Sequence, residues 1–437
     1  MTPTLLGVDQ RLQKRYQRLV QEHTGSAQPT AAGPRTLPSP AQAKAHTLAA
    51  WRFFHNRRLR LPQLMQPLLE LAHQQTPYAC AAYALVVHDW SALDYSGHRA
   101  KKDRIRLTAD GPLGYELYTA LLVGDRDGRP LAPLRLHLRS QRGVHDSACR
   151  NRRPRQPHLD SLLGGFNELA AVGLPRPLVH IVDAEGDSVY HLRRWQRDGH
   201  AFLVRSDEQR VVRFGGYEWT LPDVVARLHQ RDAFTLCRKV RYHGRRAQQY
   251  VAEAAVVLHR PAWRLRWSDG RRQRFKVPGR PLPVRLVVSE VRSARGALLA
   301  RWLLLSNVPA RVPASTLALW YYWRWQVESY FKLLKAAGQQ LEHWQQEDAA
   351  AVARRLLVAS MACALVWRLA RSTAAPAWAA RRLLQRLSGR QVAWGHEFTE
   401  ESLLAGLWVL LAMVEVLREH SPAEVQRLAD FILADSG

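Results

Sequence analysis

The chain has 437 residues, is 47% hydrophobic and contains 15 tryptophans, so it is too apolar to be disordered and long enough for several domains with their own cores. Its formal net charge is +27. So large an excess repels itself and usually matches a polyanion, with nucleic acid the first expectation and an anionic membrane the second. The four cysteines are scattered without a CxxC pair, which argues against a zinc site or disulfide framework and for a reducing compartment.

The charge is concentrated in two parts of the chain. Residues 1–80 carry ten Lys or Arg against three Asp or Glu, residues 207–296 carry twenty against eight, and residues 345–437 carry ten of each. The first two segments therefore predict surfaces that face phosphate. We find no run of about 18 apolar residues and no signal-peptide pattern, so we expect a cytoplasmic protein with no membrane contact.

Residues 1–78 are predicted to form a helical DNA-binding domain. A basic amphipathic helix over 8–24 is followed by a loop rich in Pro, Gly and Ser over 25–40, and the helical pattern returns over 41–75. A basic helical cap of a dimer explains the pattern equally well. The residues that we expect to contact DNA are Lys14, Arg15, Lys44, Arg57 and Arg58.

Residues 79–206 predict the first part of a mixed α/β sheet. Short apolar runs at 83–87 and 177–182 are typical of buried strands, and the strands 115–123 and 130–140 are joined by a good hairpin turn, GDRDGR. Helical patterns over 159–172 and 187–198 and a strand over 200–206 complete the alternation of strands and helices.

The rest of the chain divides into three predicted segments. Residues 207–298 predict a basic β-rich insertion, and residues 299–345 return to the core with the strand RWLLLSN. Residues 346–437 are helical, apolar and balanced in charge, as expected of a packed bundle or an oligomer interface.

The stretch YYWRWQVESYFKLLK, residues 321–335, predicts a helix with an unusual polar edge. Tyr321, Arg324, Glu328 and Lys335 fall within an arc of about 60° at 3.6 residues per turn. An apolar stripe lies beside them and can dock on a core. A solvated face with i,i+4 pairs such as Arg324–Glu328 is the alternative explanation.

Three carboxylates are candidates for one site. Asp89 and Asp183 each follow a short apolar strand, where open α/β sheets place their chemistry, and Glu328 lies on a helix that can pack on the same sheet. Carboxylates brought together repel one another, and a divalent cation relieves the repulsion. All-oxygen ligands select Mg²⁺ or Mn²⁺, and two such ions about 4 Å apart suit phosphodiester chemistry.

Simpler roles remain open for each aspartate. A lone Asp at a strand end is more often a helix cap or a turn residue. Asp94 and Asp187 compete for the roles of Asp89 and Asp183, and Glu185 and Asp187 can also cap or begin the next helix.

The spacing Tyr321-x₂-Arg324-x₃-Glu328-x₆-Lys335 resembles the Y-x₂-R-x₃-E-x₆-K signature of a group of bacterial insertion-sequence transposases. HDWSALDYSGH resembles the first-aspartate block of that group, usually D-[ST]-T-x-L, and IVDAEGD resembles the second, often D-R-E-[AG]-D. FLVRS and WLLLSNVP resemble the strands that flank the β insertion, and AKAHTLAAWRFFHN resembles the N-terminal DNA-binding domain. The resemblance runs from about residue 8 to about residue 345.

The resemblance implies a fold and an activity. The fold would be an RNase H-like mixed-sheet core interrupted by a β-rich insertion and flanked by helical N- and C-terminal domains. The activity would be cut-and-paste DDE transposition: binding of double-stranded transposon ends, cleavage dependent on Mg²⁺ or Mn²⁺, and transfer of 3′-OH ends into target DNA, with or without hairpin intermediates. A homodimer would form on DNA through residues 346–437, in the bacterial cytoplasm in association with the nucleoid.

The resemblance also implies residue roles. Asp89, Asp183 and Glu328 would hold two metal ions. The residues that would contact DNA near the cut strand are Tyr321, Arg324, Lys335 and Arg205. Independently of the resemblance, the basic charge of the insertion predicts that Arg271, Arg272 and Arg274 contact DNA. Trp302 would stack on a flipped base, with ordinary core packing as the alternative.

Two positions depart from the pattern of the group. Trp90 replaces the usual small hydroxyl residue after the first aspartate, and Ala184 replaces the usual Arg after the second. Neither removes a metal ligand, so activity is expected. The competing hypotheses are a catalytically silent DNA-binding protein derived from a transposase and a stand-alone two-metal nuclease.

Overall fold

The computed structural model describes residues 4–25, 40–268, 271–335, 339–392 and 395–434. Most of the loop predicted over 25–40 therefore lies outside the described residues. The helices are α1 (Gln10–Gly25), α2 (Pro40–His55), α3 (Leu61–Ala79), α4 (His158–Ala170), α5 (Val189–Arg197), α6 (Leu221–Gln230), α7 (Ala314–Tyr322), α8 (Gln326–Leu334), α9 (Ala349–Arg371), α10 (Ala375–Leu387), α11 (Glu400–Glu419) and α12 (Pro422–Ala434). The strands are β1 (Ala84–Asp94), β2 (Ile105–Arg106), β3 (Leu113–Gly124), β4 (Pro130–Ser140), β5 (Gly143–Asp146), β6 (Leu178–Val182), β7 (Ala201–Arg205), β8 (Val211–Phe214), β9 (Tyr217–Thr220), β10 (Thr235–Tyr242), β11 (Arg245–Leu258), β12 (Ala262–Ser268), β13 (Arg271–Val277), β14 (Leu282–Ser293) and β15 (Leu298–Ser306).

One large mixed sheet organises the described part of the chain, so the predicted mixed α/β class is confirmed. Its strand order is β5-β4-β3-β1-β6-β7-β15-β14-β11-β8-β9, with β2 paired to β3 and β10 paired to β11. The strands β1, β6 and β7 are parallel neighbours, while β1, β3 and β4 form an antiparallel meander. The apolar runs in β1 and β6 are buried on both faces, as parallel strands covered by helices require.

Strand β1 is longer than its apolar run predicts. It continues past His88 to Asp94 because β3 pairs with it over its whole length, whereas its pairing with β6 ends at His88 opposite Val182. Asp89 is therefore a strand residue, and the expectation that it follows the strand was wrong. Neighbouring strand residues point to opposite faces, so His88 packs on Phe166 of α4 while Asp89 faces the other side, where α8 packs.

The strands predicted as an insertion continue the core sheet, because β14 pairs with β15 and β15 pairs with β7. The hairpin of β12 and β13 forms a separate two-stranded sheet. Helix α6 was missed within this segment. It begins with a capping box, in which the Thr220 hydroxyl accepts from the Asp223 N–H and the Asp223 carboxylate accepts from the Thr220 N–H.

The N- and C-terminal helices pack together on one face of the sheet. Helix α9 contacts α1, α2, α3 and β4, and α1 also contacts α11. Among the described residues, α9 is the one helix that is long and apolar enough to cross a membrane, with a mean hydropathy of 1.7 over an 18-residue window. As 83% of that window is buried within the protein, α9 fits the role of a core helix, and the absence of membrane contact stays a prediction.

Candidate active site

The two candidate aspartates lie at the same level on neighbouring strands. The parallel pairing of β1 with β6 ends at His88 and Val182, so the next residues are Asp89, still within β1, and Asp183, directly after β6. Asp183 caps a short 3₁₀ helix, Ala184–Gly186, and its carboxylate accepts a hydrogen bond of 2.7 Å from the Ala184 N–H. The Asp89 carboxylate accepts one of 2.8 Å from the Trp90 N–H.

The predicted single helix over 321–335 is divided in the structure. Helix α7 ends at Tyr322, a 3₁₀ turn covers Trp323–Trp325, and α8 begins at Gln326. Tyr321 belongs to α7, Arg324 to the 3₁₀ turn and Glu328 to the first turn of α8. Within the turn, Trp323 packs closely over Gly128, a position with a φ of +70° where an added Cβ would collide with the indole.

The guanidinium of Arg324 lies close to all three carboxylates. Its Nη1 lies 3.3 Å from Asp89 Oδ2, and its Nη2 lies 2.9 Å from Glu328 Oε1 and 3.5 Å from Asp183 Oδ2. The Arg324 side chain is 8% exposed, whereas the side chains of Asp89, Asp183 and Glu328 are 25%, 35% and 41% exposed. Three acids that are remote in the sequence therefore converge on one buried cation at the edge of an open surface. We call these three acids the acid cluster.

The two aspartates of the cluster differ in electrostatics. Burial raises the pKa of Asp89 to about 6, with repulsion from Glu328 and Asp183 adding to the effect and the Trp90 N–H and Arg324 opposing it. Burial acts in the same direction on Asp183, but Arg324 and its hydrogen-bond donors outweigh it, and the pKa of Asp183 is lowered. Asp89 is thus the aspartate whose charge is less well compensated.

The acid cluster fits a hard divalent cation in chemical type, since it offers only carboxylate oxygens. The spacing of its three carboxylates in this structure, however, does not suit a metal ion. Within the described ranges, no group of three or more His, Cys, Asp or Glu side chains is close enough to hold a metal ion. The reason is visible in the geometry, because the guanidinium of Arg324 lies between the carboxylates.

The competing acids have other partners. Asp187 accepts hydrogen bonds from Ser206 Oγ and the Asp207 N–H and pairs with Arg210, so it fastens the loop after β7. Asp94, at the end of β1, accepts from the Ser96 N–H. These partners lie outside the acid cluster, which favours Asp89 and Asp183 for the site.

Sequence reasoning missed His158, which ends the basic, Pro-containing segment RNRRPRQPH (150–158) and begins α4. Its Nε2 lies 2.8 Å from Glu116 Oε1 and its Nδ1 lies 2.5 Å from Glu185 Oε1. Its ring stacks on Trp90 at 4.4 Å between centroids, with 7° between the planes. Burial alone would lower the pKa of His158, but its hydrogen bonds to the two glutamates raise it to about 9. Trp90, one of the two positions that depart from the pattern of the group, stacks on His158, which also pairs with Glu185. His158 thus links the segment after Asp89 to the segment after Asp183.

Of the other residues predicted near the cut strand, two contact the cluster and one contacts β1. The Tyr321 hydroxyl donates to Asp183 Oδ1 at 2.9 Å, and Arg205 Nη1 lies 3.7 Å from the same oxygen. Lys335 follows α8, where its Nζ donates to the Ala92 carbonyl and lies 3.4 Å from Glu342 Oε1. All three adjoin the acids or β1, and Arg205 is the most exposed of them.

Trp302 lines a cavity of about 240 Å³ beside the cluster. Tyr321, Tyr322 and Trp325 form an aromatic wall of this cavity, and Arg238 and Arg241 are among its basic lining residues. An aromatic cavity lined in part by cationic residues suits a nucleic-acid base attached to its phosphate.

The remaining predicted DNA contacts lie on the N-terminal helices and the β12–β13 hairpin. Helix α1 carries Lys14, which is exposed, and Arg15, which is half-buried. The turn between α2 and α3 carries Arg57 and Arg58, which are both exposed. Arg274 is exposed on β13, over the ring of Trp263 at 4.4 Å. The side chains of Lys44, Arg271 and Arg272 lie outside what the structure describes.

No protein-family model and no curated protein matches the chain. One solved structure with a likeness to it is the cryo-EM structure of a piggyBac transposase synaptic complex with hairpin DNA. The likeness covers 95% of this chain and 74% of that chain, at 10% sequence identity and a TM-score of 0.38.

Proposed function

We propose that the protein is a DDE transposase that binds transposon ends, cleaves them and joins their 3′-OH ends to target DNA. The observation that carries the proposal is the convergence of Asp89, Asp183 and Glu328 in a protein with a net charge of +27. An acid cluster within so basic a protein suits the hydrolysis of a polyanion, which the basic surface would attract. The antiparallel meander β4-β3-β1 beside the parallel β6 and β7, with helices on both faces, supports an RNase H-like core.

Asp89, Asp183 and Glu328 would hold two Mg²⁺ ions, for which Mn²⁺ can substitute. When bound, such ions activate a water or a 3′-OH and stabilise the leaving oxygen. Hydrogen bonds within the chain orient two of these three carboxylates. The Trp90 N–H orients Asp89, and the Ala184 N–H together with the Tyr321 hydroxyl orients Asp183.

The residues around the cluster would position DNA. Arg205 and Lys335 would contact phosphates near the cut strand, with Tyr321 holding the neighbouring carboxylate. A base flipped from the transposon end would enter the aromatic cavity and stack on Trp302, an interaction worth about 1–3 kcal/mol. Such a flipped base would support a hairpin intermediate.

The C-terminal helices would form the dimer interface. Large apolar side chains remain exposed on α11 and α12, and they include Val409, Met413, Leu417, Leu428 and Phe431. A second copy of the chain synapsed on DNA would cover them, and this part of the chain carries no net charge that would attract DNA instead.

The test is cleavage of the DNA that flanks the coding sequence of this protein, since the ends of an insertion element flank its transposase gene. We expect Mg²⁺-dependent cleavage at those flanks and none in a scrambled duplex of the same length. We expect Glu328→Ala to abolish cleavage without weakening DNA binding. The matched control is Glu347→Ala, which removes an exposed glutamate outside the acid cluster.

Each failure has a distinct meaning. Cleavage at no preferred position would favour the stand-alone nuclease, and binding without cleavage in Mg²⁺ would favour the silent DNA-binding protein. Cleavage by Glu328→Ala at the wild-type rate would remove Glu328 from the active site.

A further inference from the structure

The guanidinium of Arg324 occupies the space that a metal ion would need. It lies within 3.5 Å of an oxygen from each of the three acids, and it is almost fully buried. A second cation cannot share those oxygens without strong repulsion at such distances. Binding of metal through these oxygens would therefore require Arg324 to move.

We propose that Arg324 competes with the divalent cation for the acid cluster, and that a DNA phosphate removes this competition by drawing the guanidinium away. Metal binding and DNA binding would then be coupled through one side chain. The inference rests on the proposed function, because it assumes that the acid cluster binds metal.

The distances around Arg324 show why it can be displaced. Charge-assisted hydrogen bonds are usually about 2.7–2.9 Å long. Only the hydrogen bond to Glu328, at 2.9 Å, reaches this range, while the distances to Asp89 and Asp183 are 3.3 and 3.5 Å. One guanidinium shared among three acids is held tightly by neither aspartate.

One nitrogen of Arg324 also lacks a partner. Its Nε is buried and makes no hydrogen bond to any described residue. A buried unsatisfied N–H is unfavourable, and a phosphate can accept from Nε and a terminal nitrogen together as a bidentate ligand. The present arrangement thus leaves a donor that an arriving phosphate would satisfy.

Departure of Arg324 would change the three acids unequally. Asp183 keeps the Tyr321 hydroxyl and the Ala184 N–H, and Asp89 keeps the Trp90 N–H. Glu328 has no other hydrogen bond or ion pair within the described ranges, so it alone would be freed. Arg324 therefore chiefly controls the third carboxylate.

The direction of departure follows from the neighbouring aromatic residues. The guanidinium already lies 5.1 Å from the ring centre of Trp325. Trp325 also lines the aromatic cavity, together with Arg238 and Arg241. A phosphate attached to a base in that cavity would lie near Trp325, and the guanidinium would move toward it.

The test locates the bound ion by iron(II)-dependent cleavage of the protein backbone. Fe²⁺ replaces Mg²⁺, ascorbate and peroxide generate radicals beside the ion, and mass spectrometry measures fragments ending near residues 89, 183 and 328. Binding of Mn²⁺ followed by electron paramagnetic resonance gives the affinity without DNA. The full-length chain is used alone and with the flanking duplex described above.

We expect weak fragmentation in the wild type alone and a strong increase when DNA is added. We expect Arg324→Gln to bind Mn²⁺ without DNA more tightly than the wild type by about 5- to 150-fold, the range typical of coupled sites. Arg205→Gln is the matched control, because Arg205 approaches only Asp183 among the three acids and its removal should have a much smaller effect. Adding Glu328→Gln to Arg324→Gln should abolish the gain.

Two outcomes would overturn the inference. Equal fragmentation near the acids in wild type and Arg324→Gln, with or without DNA, would leave the metal site in place but eliminate the competition. No fragmentation near the acids in any state would overturn the metal site as well. If Arg324→Gln does not fold, the wild type alone decides, since fragmentation independent of DNA contradicts the coupling.

Discussion

Two clusters of charged residues lie on opposite faces of the sheet and are built differently. On the face that α4 covers, Arg135 and Arg153 meet Asp146 and Glu168 at distances of 2.5–3.0 Å, and Arg135 and Asp146 are almost fully buried. On the other face, three acids share Arg324 at 2.9–3.5 Å and remain partly exposed.

The difference separates a structural role from a functional one. The first cluster, which we call the balanced cluster, contains two positive and two negative groups, so its charges compensate one another. The acid cluster has excess negative charge that Arg324 alone does not neutralise, and it opens to solvent. Such uncompensated charge costs stability unless an external cation is bound, which is the pattern expected of an active site.

The largest predicted effect is that of Asp89→Asn, which removes a carboxylate from the acid cluster. We expect cleavage to fall by at least about a thousand-fold, equivalent to about 4 kcal/mol in the barrier. The free energy of unfolding should stay the same or rise above pH 6. Burial holds the pKa of Asp89 at about 6, above its usual value, so its charged form destabilises the folded state and its removal relieves this.

The pH dependence of the gain in unfolding free energy provides the control for Asp89→Asn. The gain should disappear below about pH 4, where Asp89 is protonated in both folded and unfolded protein. Urea unfolding of wild type and variant at pH 3 and pH 8 measures it. A variant less stable at pH 8 would mean that Asp89 stabilises the fold as the acids of the balanced cluster do.

The same substitution in the balanced cluster should have the opposite result. Asp146→Asn would leave Arg135 and Arg153 without their shared carboxylate, and we expect unfolding to become easier by about 3 kcal/mol, as for other broken buried ion pairs. The rate of DNA cleavage by the folded fraction should not change. A shift in the urea midpoint measures the first expectation, and a fall in cleavage without a fall in stability would contradict the distinction between the clusters.

Much of the scaffold could be predicted from local sequence, because buried strands and capped helices leave local signals. The apolar runs of β1 and β6 indicated their positions, and the Thr220–Asp223 spacing could have revealed α6. The length of β1 could not be read locally. It depends on β3, whose pairing extends the strand through Asp89 to Asp94.

The composition of the site was partly predictable, and its arrangement was not. The spacing around Arg324 and Glu328 favoured one polar edge, but the position of Arg324 between the acids depends on strands more than a hundred residues away. The role of His158 had no local signal at all. Its partners Trp90, Glu116 and Glu185 come from three different parts of the chain and meet only in the fold.

A smaller effect is expected from His158→Gln. This variant tests whether the ion pairs of His158 with Glu116 and Glu185 stabilise the fold. Hydrogen bonds to Glu116 and Glu185 raise the pKa of His158 to about 9, above its ordinary value of 6.5. Its pairing therefore stabilises the fold fully below pH 6.5, and the contribution disappears as the pH rises through 9. We expect the wild type to exceed the variant by about 1–3 kcal/mol at pH 6 and to lose this advantage above pH 9.

Unfolding in urea at several pH values measures this difference. His343→Gln is the control, because His343 is exposed and is not a partner of either glutamate. A difference that does not change between pH 6 and pH 10 would show that His158 contributes through stacking on Trp90 and not through its charge.

The smallest effect concerns the basic β12–β13 hairpin, which extends the comparison to positive charge. Arg274 is exposed, stacks on Trp263 and pairs with no carboxylate of the described residues. Unpaired positive charge should be available to external phosphate. Changing Arg271, Arg272 and Arg274 together to Ala should lower the affinity for all DNA sequences alike and reduce the log–log salt slope by up to about 0.9 for each phosphate that is no longer neutralised.

Titrations of flanking and scrambled duplexes over a range of salt concentrations measure that slope. Arg427→Ala in α12 is the control, because Arg427 is also exposed but belongs to the part of the chain that carries no net charge. An effect confined to the flanking duplex would mean that the β12–β13 hairpin reads bases. The arginines of the hairpin would then not be interchangeable phosphate ligands, and uncompensated charge would indicate a binding site in the acid cluster but not in the insertion.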